Sequence, residues 1–229
     1  MGDQLFEEWQ VYEKLLIHDY MDHRAFFARL QAEVLARLQR PLAILDLGCG
    51  DLAPILPLLE ALPVRDYLGA DESGVALAMA ARRLGQLGLS GRLQQGDLLA
   101  ALEELTGPFD LVLASFSLHH LADPADKLLT LQRVRRLLKS DGLFALIDVF
   151  NVEDEPRERY VERWIANAEA RYHHLQPGEK AILFDHVRAH DFPLSLRDWR
   201  AFGRDAGLSR CEVLLEDRDG LNRLVVFAP

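Results

Sequence analysis

The chain predicts a doubly wound α/β fold: a mostly parallel sheet with helices on both faces, finished by an antiparallel hairpin. Three observations predict it. Short apolar runs alternate with longer amphipathic segments between residues 42 and 149, and the first run breaks into glycines in "LAILDLGCGDLAP", residues 42–54. Two β-rich runs separated by turn residues then close the chain. Strands alternating with helices require right-handed crossovers, hence a parallel sheet covered on both sides. Ligands on such sheets sit at the C-terminal strand ends, near the point where strand order reverses.

Two helices precede the sheet. The second, from about Asp22 to Arg40, places Phe26, Leu30, Val34 and Leu38 at helical spacing, with Asp22 as a candidate cap and Pro41 as its stop. Strands are expected over Leu42–Leu47, Asp66–Ala70, Arg92–Gln95, Leu111–Ser115 and Leu143–Val149. Helices fall between them near Pro54–Leu62, Ser73–Leu87, Leu98–Leu105 and Asp123–Leu138, the last ended by "KSDG". Residues 151–207 break the rhythm with three helices, the third capped by Ser195 with Asp198 three residues on. "RCEVLLE" (210–216) and "NRLVVFA" (222–228) form a hairpin around Asp217-Arg218-Asp219-Gly220. The organisation is therefore one domain: an N-terminal helical lid (1–40), a ligand-binding core (41–150), a helical insert (151–207) and a C-terminal hairpin (208–229).

Bulk properties narrow the class. With 229 residues, 36 acidic against 26 basic side chains and a net charge of −10, the chain has no basic face for nucleic acid. Arg133, Arg135, Arg136 and Lys139 read as a solvated helix end that complements the helix dipole. Cys49 and Cys211 are the only cysteines, which argues for a reducing compartment rather than a disulfide framework. The N-terminal "MGDQLFEEWQVYEKLL" lacks a basic n-region, and no apolar segment approaches the roughly 18 residues of a membrane span, so a cytoplasmic protein is expected.

The glycine loop fits G-x-G-x-x-A from Gly48 to Ala53, a pattern compatible with a dinucleotide. Charge separates the candidates. Asp46 stands two residues before Gly48, where a carboxylate repels a pyrophosphate and favours a ligand carrying positive charge. Pro54 removes one of the N–H donors an anion would use. Asp71 follows the second strand, positioned to accept from ribose hydroxyls of either an NAD or an adenosyl ligand. Asp97 follows the third strand, where it can accept from an adenine amino group while Leu98 packs on the ring.

Taken in order, "ILDLGCGD", "YLGADES", "QQGDLL", "FDLVLASFSLHHL" and "LKSDGLFALIDVF" resemble the class I S-adenosylmethionine-dependent methyltransferases, strongly over about residues 40–150 and by topology alone over 208–229. The resemblance implies a Rossmann-like, doubly wound seven-stranded sheet, mostly parallel with an antiparallel C-terminal strand, and the N-terminal helices and insert as additions. It implies S-adenosylmethionine as donor and S-adenosylhomocysteine (SAH) as product. Asp46, Gly48, Cys49 and Gly50 would line the methionine end, Asp71 would bind the ribose with Glu72 beside it, and Asp97 with Leu98 would hold adenine. Ser115 and Phe116 would sit beside the transferred methyl. Leu52 departs from the family, which often has a small residue there.

The acceptor is less constrained. "ASFSLHHL" replaces the Asn/Asp-Pro-Pro-aromatic tetrad of many nucleic-acid and protein N-methylases and resembles small-molecule enzymes, so a small-molecule acceptor is expected, with neither nucleic acid nor membrane as partner. His119 is a candidate general base, as is His18; packing or capping roles remain open for both. Adjacent histidines on a helix diverge and no carboxylate stands nearby at metal-ligand spacing, so no metal is expected. In "HDYMDHR" (18–24), Tyr20, His23 and Arg24 are candidate contacts to the donor's carboxylate or to the acceptor, or else form a polar interhelical turn. Trp164, Tyr172, His173 and His186 are candidate pocket residues of the insert, although stripes at that spacing are also ordinary core. The rival readings are an NAD(P)-dependent oxidoreductase and a non-catalytic S-adenosylmethionine-binding module.

Overall fold

The computed structural model describes residues 2–229, with side-chain surroundings from residue 10 onwards. Helices α1 (Gly2–Ile17) and α2 (His23–Arg37) lead into β1 (Leu42–Leu47), α3 (Leu56–Ala61), β2 (Val64–Asp71), α4 (Gly74–Gln86), β3 (Gly91–Gln95), α5 (Leu98–Glu104) and β4 (Phe109–Ser115). A 3-10 turn (Leu118–His120), α6 (Pro124–Leu137) and β5 (Leu138–Asn151) follow. The chain then forms α7 (Arg157–Arg171), α8 (Pro177–His190), β6 (Leu194–Ser195), α9 (Leu196–Asp205), β7 (Arg210–Glu216) and β8 (Asn222–Ala228).

Seven strands run in the order β3-β2-β1-β4-β5-β8-β7, and β6 adds two residues beside the end of β5. The four pairings among β1–β5 are parallel, while β8 lies antiparallel between β5 and β7. Order reverses between β1 and β4, so the loops after those two strands meet at the top of the sheet. β1 and β4 are buried along nearly their whole length, as expected of strands covered on both faces.

Several boundaries differ from the sequence reading for local reasons. "KSDG" does not terminate α6; it opens β5, because Leu138 already pairs with Phe109 of β4. Asp22 does not cap α2 with its side chain: its backbone is left-handed (φ 55°), and Asp19 Oδ1 accepts the Arg24 N–H instead. Ser195, by contrast, caps α9 through the Asp198 N–H as its spacing requires.

The two apolar faces redistribute the expected modules. Phe26, Leu30 and Val34 of α2 are wholly buried beside α3, α4 and the sheet residues Ile44, Leu113, Ile147 and Leu224, so α2 is a wall of the core. Among the described residues, α1 instead packs through Val11 and Leu15 on the insert. Trp199 and Phe202 of α9 pack with Leu131, Val134 and Leu137 of α6 on the opposite face, so α9 is the last crossover helix and the insert proper is α7–α8. A third apolar cluster joins Val11 and Leu15 of α1 to Tyr160, Trp164, Tyr172, Phe184 and Val187 of the insert, above Val149 of β5 and Phe116. No helix among the described residues is long and apolar enough to cross a membrane.

Candidate active site

The glycine loop is built by backbone conformation. Gly48 (φ 71°), Gly50 (φ 53°) and Leu52 (φ 68°) are all left-handed, a region that L side chains resist. A Cβ at Gly48 would collide with the Ser117 side chain, whereas one at Gly50 would meet nothing within 4 Å. The first glycine therefore lets the loop after β1 press on the loop after β4, and the second faces open space. Ser117 Oγ secures that contact by donating to the Leu47 carbonyl at 2.8 Å. Leu52 tolerates its backbone because its side chain is fully buried in the core, which absorbs the departure noted in the sequence.

Three acids stand at the C-terminal ends of β1, β2 and β3. Asp71 accepts from the Gly50 N–H through Oδ2 and from the Ser73 N–H through Oδ1, both at 2.8 Å, and so ties the loop to the start of α4. Each oxygen keeps a second lone pair for a ligand hydroxyl. Asp46 is 3% exposed and accepts from the Tyr67 hydroxyl at 2.8 Å; burial pushes its carboxyl up to about 7. Asp97 is exposed at the end of β3, where Oδ1 caps α5 by accepting from Leu99 and Ala100 N–H groups at 2.9 and 3.0 Å. Its Oδ2 is the atom left for a ligand, and Leu98 packs half-buried beneath.

The remaining expected donor contacts are split. Cys49 turns its thiol away, into the sheet against Gly69, and burial raises its pKa; only its backbone belongs to the loop surface. Glu72 is exposed, with its carbonyl accepting from Gln95. Ser115 ends β4 opposite Ile147, and Phe116 (φ 50°) donates its N–H to the Ile147 carbonyl at 2.7 Å. His23 is brought to this point: its ring lies 4.9 Å from that of Phe116, 7% exposed, and Nδ1 has no hydrogen-bond partner among the described residues. Burial lowers its pKa to about 4, so it is a neutral imidazole at pH 7.

Tyr20 and Arg24 are not brought there. The Tyr20 hydroxyl meets His174 Nδ1 at 2.7 Å and its ring stacks on Tyr172 at 4.2 Å, docking the α1–α2 turn onto the insert. Arg24 is exposed and donates to the Ile17 carbonyl. His18 is likewise on the surface, stacked on His174 at 3.7 Å, which is no setting for a general base.

His119 also lacks that setting, for the opposite reason. It is buried between two carboxylates, with Nδ1 2.5 Å from Asp148 Oδ1 and Nε2 3.6 Å from Asp191 Oδ1. Burial opposes its protonation, but Asp148 and Asp191 outweigh it and raise the pKa. Of the expected pocket residues, Trp164 and Tyr172 are core, 4% and 3% exposed and edge to face at 5.9 Å, whereas His173 and His186 lie on the surface. The four do not converge.

Sequence reasoning missed three groups. Tyr12 of α1 lies within reach of the loop's acids: burial and then Asp51, with Asp71 and Asp46, push its phenol pKa up. Arg83 of α4 holds the loop by pairing with the Asp51 carboxylate and donating to the Asp51 carbonyl at 2.7 Å. Lys127, 1% exposed, caps the 3-10 turn through the Leu118 and Leu121 carbonyls. Only Tyr12 had a signal, being next to the Val11–Leu15 stripe of α1.

The donor set suits an adenosyl sulfonium ligand: a carboxylate at the cationic end, a second carboxylate for hydroxyls, and a third beside a half-buried leucine. Residues 45–144 match a family described as a methyltransferase domain. Trans-aconitate 2-methyltransferase of Deinococcus radiodurans is 38% identical over 109 residues, covering 46% of this chain and 38% of that protein. Demethylmenaquinone methyltransferase of Thermus thermophilus is 40% identical over 108 residues, covering 46% of this chain and 48% of its own length. The chain thus aligns with less than half of each of these relatives. Among solved structures, an S-adenosylmethionine-dependent methyltransferase from Clostridium acetobutylicum shares the fold over 98% of both chains at 13% identity and a TM-score of 0.65. Magnesium protoporphyrin IX methyltransferase from Synechocystis, with bound SAH, does so over 98% of this chain and 94% of its own at 16% identity and a TM-score of 0.64. Residues 45–144 thus match a methyltransferase domain, and the whole chain shares its fold with S-adenosylmethionine-dependent methyltransferases of known structure.

Proposed function

We propose that the chain transfers a methyl group from S-adenosylmethionine to a small-molecule acceptor. The observation that carries this reading is the row of carboxylates Asp46, Asp71 and Asp97 at the ends of β1, β2 and β3, around a loop with two left-handed glycines. A pyrophosphate at the glycine loop would oppose ionisation of Asp46, whereas a donor with a sulfonium and an ammonium group would favour it. Asp71 would take the ribose hydroxyls, Asp97 Oδ2 and Leu98 the adenine, and the Gly48–Gly50 backbone with Asp46 the methionine end. The acidic surface and the closing of α1 with α7–α8 over the strand ends favour a small acceptor over a nucleic acid.

When bound, the sulfonium supplies an activated methyl whose carbon–sulfur bond breaks as an acceptor lone pair attacks in line, leaving a neutral thioether. The chain's own contribution is positional. Holding the reacting atoms aligned supplies roughly 7–11 kcal/mol. Phe116 and His23 are the side chains next to the end of β4, and the neutral His23 can hydrogen-bond an acceptor without carrying charge. His119 acts through the loop it anchors.

Calorimetry with S-adenosylmethionine, SAH and NAD tests the donor. Binding of the first two without NAD is expected; preferential NAD binding would favour hydride transfer instead. Labelled methyl donor incubated with small-molecule, protein and RNA fractions tests the acceptor, and label confined to RNA or protein would sink that part.

A further inference from the structure

We propose that His119, His120 and Asp191 form a binding site for a divalent transition metal of the zinc class, separate from the donor loop. One ligand atom from each lies within 4.8 Å of the other two. The histidines come from the 3-10 turn after β4 and the carboxylate from the junction of α8 with β6, some 70 residues on. The expectation that adjacent histidines diverge assumes an α-helix; on the 3-10 turn their rings are 3.9 Å apart. His119 Nε2 and Asp191 Oδ1 are separated by 3.6 Å. That is too long for an N–H···O hydrogen bond, which lies at about 2.7–3.2 Å. It is within a few tenths of an ångström of the roughly 3.3–3.4 Å between two tetrahedral ligands, each about 2.0–2.1 Å from one zinc ion.

The groups behind these ligands have the arrangement a metal requires, in which an imidazole binds through one nitrogen and donates from the other to an oxygen. His120 Nδ1 faces the His190 carbonyl at 3.2 Å. A carbonyl only accepts, so Nδ1 carries the proton and Nε2 the lone pair. His119 Nδ1 faces Asp148 Oδ1 in the same way, leaving Nε2 toward Asp191. The Tyr160 hydroxyl donates to Asp191 Oδ2 at 3.0 Å, leaving Oδ1 toward His119. Every ligand is thus oriented by a partner on its far atom. Further imidazoles stand alongside, with the His186 ring 5.4 Å from that of His120 and the His190 ring 5.1 Å from that of His186. Two imidazoles and a single carboxylate select zinc-like ions over calcium or magnesium. A bound ion would fasten the loop after β4 to the end of α8, and so the insert to the sheet. A proton on His119 Nε2 is the competing occupant of the same gap.

The metal-stripped full chain is titrated with Co(II) chloride and then Zn(II) chloride, following visible d–d absorption, heat and melting temperature. One equivalent of Co(II) in a low-coordinate nitrogen–oxygen environment is expected, displaced by Zn(II), with a rise in melting temperature. His120→Ala removes a partly exposed side chain, so its metal-free chain should stay folded, with a melt lowered only by the lost bond to the His190 carbonyl. Its metal affinity should fall by roughly 100-fold or more, and that of Asp148→Asn by roughly 10–100-fold. His173→Ala, exposed and outside the cluster, should bind as the parent does. Failure to bind one equivalent would overturn the proposal and leave the gap to a proton. Equal affinity in the parent and His120→Ala would also overturn it, placing the ion on other histidines.

Discussion

Asp46→Asn separates what the buried carboxylate does for the ligand from what it costs the fold. Burial raises its pKa from an ordinary 3.8 to about 7, with only the Tyr67 hydroxyl as a favourable partner. The raised folded value means that folding favours the protonated form. Stability is greatest below pH 4 and falls as pH rises toward about 7, above which the loss is complete. Each tenfold in proton affinity is worth about 1.4 kcal/mol, so the ionised carboxylate destabilises the folded chain by up to about 4 kcal/mol. Asparagine keeps an acceptor for Tyr67 and carries no charge. Urea melts should therefore show a difference of only about 1 kcal/mol at about pH 4.5 and a variant more stable by about 2–4 kcal/mol at about pH 8.5. With a slope of about 2–3 kcal/mol/M that is a midpoint shift of about 1 M. Binding of a cationic donor has the opposite sign. In the parent, affinity should rise with pH through about 7 as Asp46 ionises, while in the variant it should be flat and at least tenfold weaker at pH 8.5. A variant no more stable than the parent at alkaline pH, or one that binds S-adenosylmethionine undiminished, refutes the reasoning.

Other perturbations read other parts of the site. Gly48→Ala adds a Cβ at φ 71° against Ser117, which should destabilise the chain by about 1–2 kcal/mol or more and abolish donor binding in calorimetry. Asp71→Ala leaves the Gly50 and Ser73 N–H groups without their acceptor, about 1–3 kcal/mol for each that stays buried, and should lose donor binding even where the melt survives. His23→Phe replaces a buried, unpartnered Nδ1 with carbon, so thermal stability should hold or rise while single-turnover methyl transfer slows at unchanged donor affinity. Tyr20→Phe removes the hydroxyl shared with His174, and should raise hydrogen exchange at residues 172–176 with a loss of about 1 kcal/mol.

The parts of the site legible in the sequence are those written in short stretches. Asp46, Gly48, Gly50 and Asp71 follow from strand ends and a glycine loop, since local conformation puts them at one edge whatever the rest of the chain does. The terminal hairpin was equally local. Contacts between distant segments were not legible. Nothing near "LHHL" announces Asp148 or Asp191, because 29 residues of helix and strand separate the first from His119 and an entire insert separates the second. Tyr20 and Arg24 flank His23 in sequence, yet the left-handed residues Asp19 and Asp22 turn the chain on either side of Tyr20. The apolar stripe of α2 likewise could not say which surface it covers; burial of Phe26 and Leu30 against the sheet decides it.

The docking of the α1–α2 turn on the insert has a consequence for redesign. Tyr20 is gripped by Tyr172 and His174, and Lys14 pairs with Glu179 of α8 at 2.6 Å. The insert is therefore not a cassette. A graft that exchanges residues 157–190 for another protein's helical pair strands a tyrosine, a lysine and the Val11–Leu15 stripe on the recipient. The transplantable piece is discontinuous: α7–α8 together with α1 and the turn that follows it, moved as a matched pair.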